Sequence, residues 1–550
     1  MRREVRMPMT EKRFLDIKRF SGSKTAMLLN GIACAVPFVF EKAFLLTWFC
    51  FVPYVLIFMK EKSALKTKQF FLHSLFFGYG FYFVGYSWLC ELYPLEYLGI
   101  EPSIALPLIV FVVAIVPAIH ATLFALCAAF CRKFSEKAPF WLRLAVFPCV
   151  FVLAEYLQSL GTFAFPWCRL FVTQAAVPAL LQSASLFGSY FLTYFLLFVN
   201  SLLAAAVLLP KFRKRAVTFA LALFGLNFAF GAIRLAKTER AYARNDAYFG
   251  AAVLQGNYPY KYKENDSVQS MAARYLSLCD SALDELEKNA DARARAKTLV
   301  VLPETAIPVT FYDVDRGYPK LLAAYAEKER ISLAVGAFSA EKRTDSTDED
   351  VYGNSVFVFT PDGAMSAPYS KQHLVPFGEY LPYRRFFERF FPALADSAAF
   401  GTDLTPGKKA VLPETPVGKV GVQICYESVF GKYCRAQVNG GAEILLISTN
   451  DSTFGSSQAL RHHLAQAQMR AIENNVPVLR AANTGISALI ASNGRLVKTL
   501  SADETGYLAG LLPYGTGSTL YRLIGDSILY LFAVLLAVSY VYPKISRKRL

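Results

Sequence analysis

Three residues in this 550-residue chain could together perform covalent acyl chemistry: Glu304, Lys371 and Cys425, each just after a stretch that reads as a β-strand. The first stands in Leu302-Pro303-Glu304-Thr305-Ala306-Ile307-Pro308 and the second in Tyr369-Ser370-Lys371-Gln372-His373-Leu374-Val375-Pro376-Phe377-Gly378-Glu379-Tyr380. The third stands in Gly421-Val422-Gln423-Ile424-Cys425-Tyr426-Glu427-Ser428. A side chain at a strand end is held by the sheet yet free to reach into a cleft. A thiol of pKa about 8.5 is only slightly ionised at neutral pH, so attack on a carbonyl requires a base or a cation beside it. Glu304 can take and return that proton. Lys371, with the backbone N–H after Cys425, can stabilise the oxyanion of a tetrahedral intermediate. Such a set attacks amides, nitriles or esters and passes through a thioester. The third segment also reads as a strand leading into a helix, which puts Cys425 where the dipole would favour a thiolate. Singly, each residue has a plainer reading: a paired surface carboxylate, a solvated lysine, a core thiol. The three segments together, in this order, change that balance.

The elements that must position them lie between about 237 and 522, where composition is that of an ordinary globular domain. Strands are expected at 249–255, 298–302, 332–337, 355–360, 419–424, 443–448, 477–481 and 487–491. Helices are expected near 265–289, 318–330, 427–439 and 457–474, with turns at Pro361-Asp362-Gly363 and Asn493-Gly494. This alternation is an α/β pattern. It contains no internal repeat and no glycine-rich phosphate loop.

The rest of the chain is built for lipid. Apolar residues make up 54% and charged residues 18% of the sequence, and mean hydropathy is +0.33. A bilayer core of about 30 Å needs roughly 20 apolar helical residues. Eight such runs occur, near 25–41, 43–59, 69–90, 104–131, 142–157, 184–209, 215–236 and 523–543, the fourth long enough to tilt or kink at Pro117. Basic residues collect in the head from Arg2 to Lys24, then in 60–68, 132–143, 211–215 and 544–549, whereas the intervening loops are poor in them. By the positive-inside bias both termini are cytoplasmic and 237–522 lies outside. Those cytoplasmic stretches carry a net +19 of the chain's +16, leaving −3 elsewhere. The positive charge is thus topological, which removes the main support for a nucleic-acid partner. Seven of the ten cysteines lie in apolar runs before residue 170, as small membrane-core residues do, and no disulfide framework is expected. A basic head, an apolar run and Ala33-Cys34-Ala35 also resemble a cleavable export signal; an uncleaved anchor is preferred because the run continues from Pro37 to Phe40.

With these segments on the page, the chain resembles the nitrilase or carbon–nitrogen hydrolase superfamily, whose Glu, Lys and Cys occur in this order on an αββα sandwich. Within it, the eight spans, residues 369–380 and Cys425-Tyr426-Glu427 resemble the apolipoprotein N-acyltransferases. So do Val253-Leu254-Gln255-Gly256-Asn257, Asn450-Asp451, Gln468-Met469-Arg470-Ala471, Ala482-Asn483-Thr484-Gly485, Phe165-Pro166-Trp167, Glu155 and Asn200. The resemblance implies a polytopic α-helical membrane protein of eight spans with an inserted sandwich domain. Its divisions would be a head at 1–24, seven helices over 25–236, the catalytic domain at 237–522, an eighth span at 523–543 and a tail at 544–550. It implies Glu304 as general base, Lys371 as oxyanion partner and Cys425 as nucleophile, with Glu379 assisting and Tyr426 and Glu427 shaping the pocket. The implied partners are a phospholipid acyl donor and a diacylglyceryl-apolipoprotein acceptor, with no cofactor, in a bacterial inner membrane with the catalytic domain periplasmic. One departure stands out. The family often has Trp where this chain has Thr453, and all four tryptophans here, at 48, 88, 141 and 167, lie in the membrane part.

Further candidates follow from residue type. Phe386, Phe387 and Phe390, with Phe391, are spaced to form either a lid or wedge at the membrane or an ordinary buried helix face. Arg384, Arg385 and Arg389 beside them could meet lipid phosphates or be simply solvated. Glu155 in a short apolar run is costly and therefore a candidate for substrate binding, as is Asn450. His373, His462 and His463 show no zinc-ligand spacing, so no metal is expected. Two rival functions stay open: a membrane-tethered amidase using the same three residues with water as acceptor, and an inactive lipoprotein-binding module.

Overall fold

The structure, a computed structural model, describes residues 23–60, 65–95, 100–244, 247–258, 267–289, 297–342, 350–390, 392–395, 403–455 and 457–546. Most of the basic head and residues 547–550 of the tail lie outside the described residues, as does Phe391.

Among the described residues six helices are long and apolar enough to cross a membrane: Glu41–Phe58, Pro102–Ser135, Phe140–Leu157, Ala184–Leu208, Pro210–Arg244 and Leu520–Ile545. Lys24–Val39 is a shorter apolar helix of 16 residues, and it packs against Thr67–Gly85. The contact is backbone to backbone: a Cβ on Gly31 would lie 2.0 Å from the Phe77 carbonyl oxygen, and one on Gly80 would lie 2.3 Å from that of Leu28. Small residues let apolar helices approach this closely where lipid supplies no hydrophobic drive. Ala33-Cys34-Ala35 belongs to this helix, with Cys34 and Ala35 fully buried.

Several spans differ from simple rods: Ala184–Leu208 has a non-helical Gly188, and Leu520–Ile545 is interrupted by a 3-10 turn at Gly525–Ser527. Glu41–Trp48 is 3-10 helix before Val52–Phe58 continues as α-helix, and Phe140–Val146 breaks at Pro148 before Cys149–Leu157. Proline lacks the N–H that the preceding turn needs. Pro102–Ser135, by contrast, runs unbroken through Pro107 and Pro117. The seventh helix does not stop at 236 but continues to Arg244. Its polar last turns are held by the globular domain: Glu239 accepts from Arg495 Nε at 2.8 Å and Asn493 Nδ2 at 2.9 Å, and the Tyr242 hydroxyl pairs with Ser492.

Among the described residues the globular part holds thirteen strands: β1 (Tyr248–Gln255), β2 (Thr298–Val301), β3 (Thr310–Phe311), β4 (Ser332–Lys342), β5 (Asp350–Phe359), β6 (Tyr369–Ser370), β7 (Glu414–Thr415), β8 (Gly418–Ile424), β9 (Ile444–Thr449), β10 (Val478–Ala482), β11 (Ser487–Ile490), β12 (Leu496–Leu500) and β13 (Gly506–Pro513). They form two sheets, ordered β13-β1-β2-β4-β5-β6 with β3 beside β4, and β12-β11-β10-β9-β8-β7. Strand alternation explains the layering. Ile444 and Leu446 of β9 face Val253, Val301 and Val356 between the sheets, while Leu445 and Ile447 turn outward onto Gly431–Asn439 and Gln458–Asn474. Val268–Asn289 and Gly317–Glu329 cover the other outer face through Met271, Leu283 and Leu322. The result is an αββα sandwich. The eight strands read from sequence are present to within a few residues except at the far ends of β4 and β5; β3, β6, β7, β12 and β13 are additional.

Candidate active site

Glu304 follows β2, Lys371 follows β6 and Cys425 follows β8, so strand ends of both sheets converge at one edge of the sandwich. Gly336 of β4 makes room for the first of these turns, because a Cβ there would lie 2.3 Å from the Pro303 carbonyl oxygen. Lys371 Nζ lies 3.4 Å from Glu304 Oε1 and 2.9 Å from Glu379 Oε1. Asn354, from β5, ties the two carboxylates together by donating Nδ2 to Glu304 Oε1 at 2.6 Å and to Glu379 Oε1 at 2.8 Å. Asn450 N–H holds Glu304 Oε2 at 2.7 Å, and Val375 N–H holds Glu379 Oε2 at 2.8 Å. Every oxygen of the pair is thereby aimed. Asn354 is the residue that sequence reasoning missed; a polar residue inside a strand reads as solvent-facing unless the fold shows what it meets.

Burial works against the Lys371 ammonium, but Glu379, then Glu304, more than offset it and hold the group charged well above its ordinary range. Burial, then Glu304, push the Cys425 thiol well above the ordinary thiol range, while Lys371 and the Thr449 hydroxyl pull it down. The expected thiolate at a helix start is therefore corrected. Residues 425–429 form a single 3-10 turn rather than the first turn of the α-helix, which begins at Gly431; so short a turn in a dry setting cannot outweigh desolvation. The resting group is a thiol, and a base must act on it. Cys425 and Thr305 hold positive φ of 50° and 48°, a conformation that costs non-glycine residues energy and concentrates at functional sites.

Glu427 sits beneath this centre, fully buried, accepting from Gln372 N–H at 2.5 Å, Ile424 N–H at 3.0 Å, and His373 N–H and the Tyr369 hydroxyl at 3.1 Å each. It thus bolts the Lys371 segment to the Cys425 turn. Burial lifts its pKa from 4.5 to about 7, against the pull of those donors. Between these values the folded protein keeps a proton that the unfolded chain has released. The sign follows: this group's stabilisation is complete below about pH 4.5 and is lost as pH rises through about 7, on the order of 3 kcal/mol. Thermal unfolding of wild type against Glu427→Gln at pH 5 and pH 8 checks it, the expected result being that the wild-type advantage shrinks at the higher pH.

Tyr426 donates its hydroxyl to the Ala164 carbonyl in the membrane part and stacks near Trp167, with ring centroids 6.4 Å apart. Phe454 meets Trp88 at 5.1 Å and Trp167 at 5.6 Å. The indoles beside the Thr453-Phe454 loop therefore come from the membrane part. Cys425 packs both against the core between the sheets and against the core of the membrane helices.

Two halves of the chain match different family models: residues 30–202 match the apolipoprotein N-acyltransferase N-terminal domain, and 250–518 match carbon-nitrogen hydrolase. Apolipoprotein N-acyltransferase of Geobacter metallireducens is 31% identical over 70% of this chain and 71% of its own length, and that of Sinorhizobium medicae is 31% identical over 80% and 78%. The chain belongs to the apolipoprotein N-acyltransferase family. A crystal structure of Nit3 of Saccharomyces cerevisiae, a nitrilase-superfamily member, aligns at 21% identity and TM-score 0.36 over 48% of this chain and 90% of that one.

Other expected residues of this acyltransferase-family chain fall outside the convergence. Glu155 is buried in the membrane part, where it accepts from Leu170 N–H at 3.0 Å and from the Thr193 hydroxyl at 2.9 and 3.0 Å, with Arg169 Nε at 3.8 Å. It holds the chain just after Phe165-Pro166-Trp167 rather than reaching Glu304 or Lys371. Of the phenylalanines on Arg384–Phe390, Phe386 and Phe390 are 51% and 59% exposed, so this is not a buried face; Phe387 packs on Leu381 and Ala395. Next to them Phe377 stacks on Phe163 of the membrane part at 6.0 Å. Arg384 pairs with Asp403, Nε to Oδ2 at 2.7 Å. His462 contacts the Phe38 carbonyl at 2.9 Å and His373 packs on Phe430. Among the described residues no three His, Cys, Asp or Glu side chains are grouped to hold a metal ion.

Proposed function

We propose that the protein transfers an acyl chain from a phospholipid, through a thioester on Cys425, to the α-amino group of the S-diacylglyceryl-cysteine at a lipoprotein N-terminus. The observation that carries this reading is the position of Cys425 at the seam between sandwich core and membrane core. An acyl donor whose tails stay among the helices can present its ester carbonyl there without extraction, which would cost about 0.8 kcal/mol per CH₂.

Glu304 takes the Sγ proton as sulfur attacks the ester carbonyl, and the oxyanion forms beside the Lys371 ammonium and the N–H of Tyr426. Collapse breaks the carbon–oxygen bond, and the departing lysophospholipid oxygen receives the proton from Glu304. A neutral α-amine then attacks the thioester, Glu304 accepts its proton, and the sulfur leaves and is reprotonated. Exclusion of water during the thioester's lifetime separates transfer from hydrolysis.

The accompanying topology is eight spans in a bacterial inner membrane, with Lys24–Val39 and Thr67–Gly85 added to the six longer helices, both termini cytoplasmic and the sandwich periplasmic. It rests on the alternation of basic loops.

The test uses full-length protein, a phospholipid with a labelled acyl chain, and acid quenching. Label is expected on the peptide containing Cys425, and it should leave as N-acyl product when a diacylglyceryl lipopeptide is added. No label on that peptide, or release only as free fatty acid in the presence of the amine, would sink the reading; the latter outcome favours the hydrolase.

A further inference from the structure

Under the nucleophile lies a buried arrangement that the chemistry above does not use. His463, on Gln458–Asn474, is fully buried. Its Nδ1 lies 3.1 Å from Asp451 Oδ1 and 3.2 Å from Arg480 Nη2. Its Nε2 lies 3.2 Å from the backbone carbonyl oxygen of Cys425 and 3.0 Å from Ser428 Oγ. Ser428 donates to that same carbonyl at 2.8 Å. Asp451 is itself fastened, accepting from Arg480 Nη2 at 2.6 Å and from the Thr449 hydroxyl at 2.8 Å. The far side of the imidazole meets Trp167 of the membrane part, ring centroids 5.5 Å apart.

An order Ser428, His463, Asp451 would suggest a second nucleophile, but Ser428 is fully buried and its hydroxyl is spent on the Cys425 carbonyl. The target of the arrangement is that carbonyl. Cys425 holds a positive φ of 50°, and relaxing it would rotate the peptide unit and swing the Sγ away from Glu304. A carbonyl fixed by two donors prevents the rotation. The contact is attractive only if Nε2 carries hydrogen, so the ring is a donor at that nitrogen.

We infer that His463 is a positioning residue for the nucleophile: held at Nδ1 by Arg480, which also pairs with Asp451, and wedged against Trp167, it holds the Cys425 carbonyl and so keeps the strained turn that aims Sγ. Trp167 makes the clamp continuous with the membrane part. This rests on Cys425 being the nucleophile.

The experiment compares His463→Asn and His463→Gln in the full-length protein. An asparagine amide stands near the place of Nδ1 and keeps the Arg480 contact but cannot reach the carbonyl; a glutamine amide stands near the place of Nε2 and can. The asparagine variant is expected to lose at least about thirtyfold in kcat for N-acylation of a lipopeptide, with KM for the phospholipid within about threefold of wild type. The glutamine variant should recover kcat to within about fivefold. Wild-type kcat in the asparagine variant, or a glutamine variant as slow as the asparagine one, overturns the proposal, the second because the ring then matters only as packing. Failure of the nucleophile assignment would look different: wild-type turnover with no label on the Cys425 peptide.

Discussion

Cys425→Ala is expected to reduce acyl transfer on the order of 10⁵-fold or more, the scale seen when a covalent nucleophile is removed, and to leave no labelled acyl group on the protein. The fold should survive, because the lost sulfur leaves only a small gap at the seam between two cores. Cys425→Ser is a sharper test. A serine hydroxyl is far more basic as an alkoxide than a thiolate, so Glu304 would have to remove a much less acidic proton, and any acyl-serine ester would resist the amine. A slow acylation that stalls before transfer is therefore expected. Mass spectrometry of the intact protein and of the lipopeptide, after incubation with labelled phospholipid, reads both steps. N-acyl lipopeptide made at wild-type rate by the alanine variant would remove Cys425 from the mechanism and with it the thioester. Unlike the amidase and the inactive binding module, this account requires the amine to collect the label.

What was readable in the amino-acid sequence follows from how far each signal reaches. Lipid-facing runs and basic loops are local, so the helical segments were visible, and so were Glu304 and Cys425, which follow strong strand patterns; Lys371 stood out through its flanking residues, since β6 is too short to announce itself. Strands such as β9 announce themselves because both faces are apolar. β3, β6 and β7 span two residues each, too few for any periodicity, and β12 is an edge strand with exposed residues. The seventh helix was cut short at 236 because its last turns are polar; what keeps them helical is Arg495, 256 positions away. Asn354 was invisible for a related reason: its meaning lies in two carboxylates brought to it by separate segments. Cys425 was placed at the end of its strand as expected but given the wrong turn and the wrong resting state, since a strand end can be read from a pattern and neither a short 3-10 turn nor desolvation can. The tryptophan missing at 453 looked like a loss from the site. The fold supplies Trp88 and Trp167 beside Phe454 from across the domain boundary instead.

Lys371→Met is the change that should separate chemistry from architecture most clearly. The ammonium is 1% exposed and lies within 3.4 Å of two carboxylates that share the amide of Asn354. Removing it deletes the charge beside the developing oxyanion, for which a loss of about 10²- to 10³-fold in kcat is typical. It also leaves Glu304 and Glu379 facing one another with no counter-charge, and breaking a buried pair in this way costs about 3–5 kcal/mol. The variant should thus be both slow and less stable, and the second effect could masquerade as the cause of the first. Adding Glu379→Gln distinguishes them. The amide occupies the same space and its oxygen can still accept from Asn354, though its NH2 then faces the Val375 N–H, so the Lys371→Met, Glu379→Gln pair is expected to regain part of the lost stability in thermal unfolding. It should not regain turnover, because no cation stands by the reacting carbonyl. Should the pair recover both, Lys371 is only a structural counter-ion and the oxyanion must be stabilised by backbone N–H groups alone. Lys371→Arg tests the geometry from the other side. It keeps the charge, but a planar guanidinium cannot replace a compact ammonium held between Glu304 and Glu379, so kcat should remain at least about tenfold below wild type even if stability is preserved.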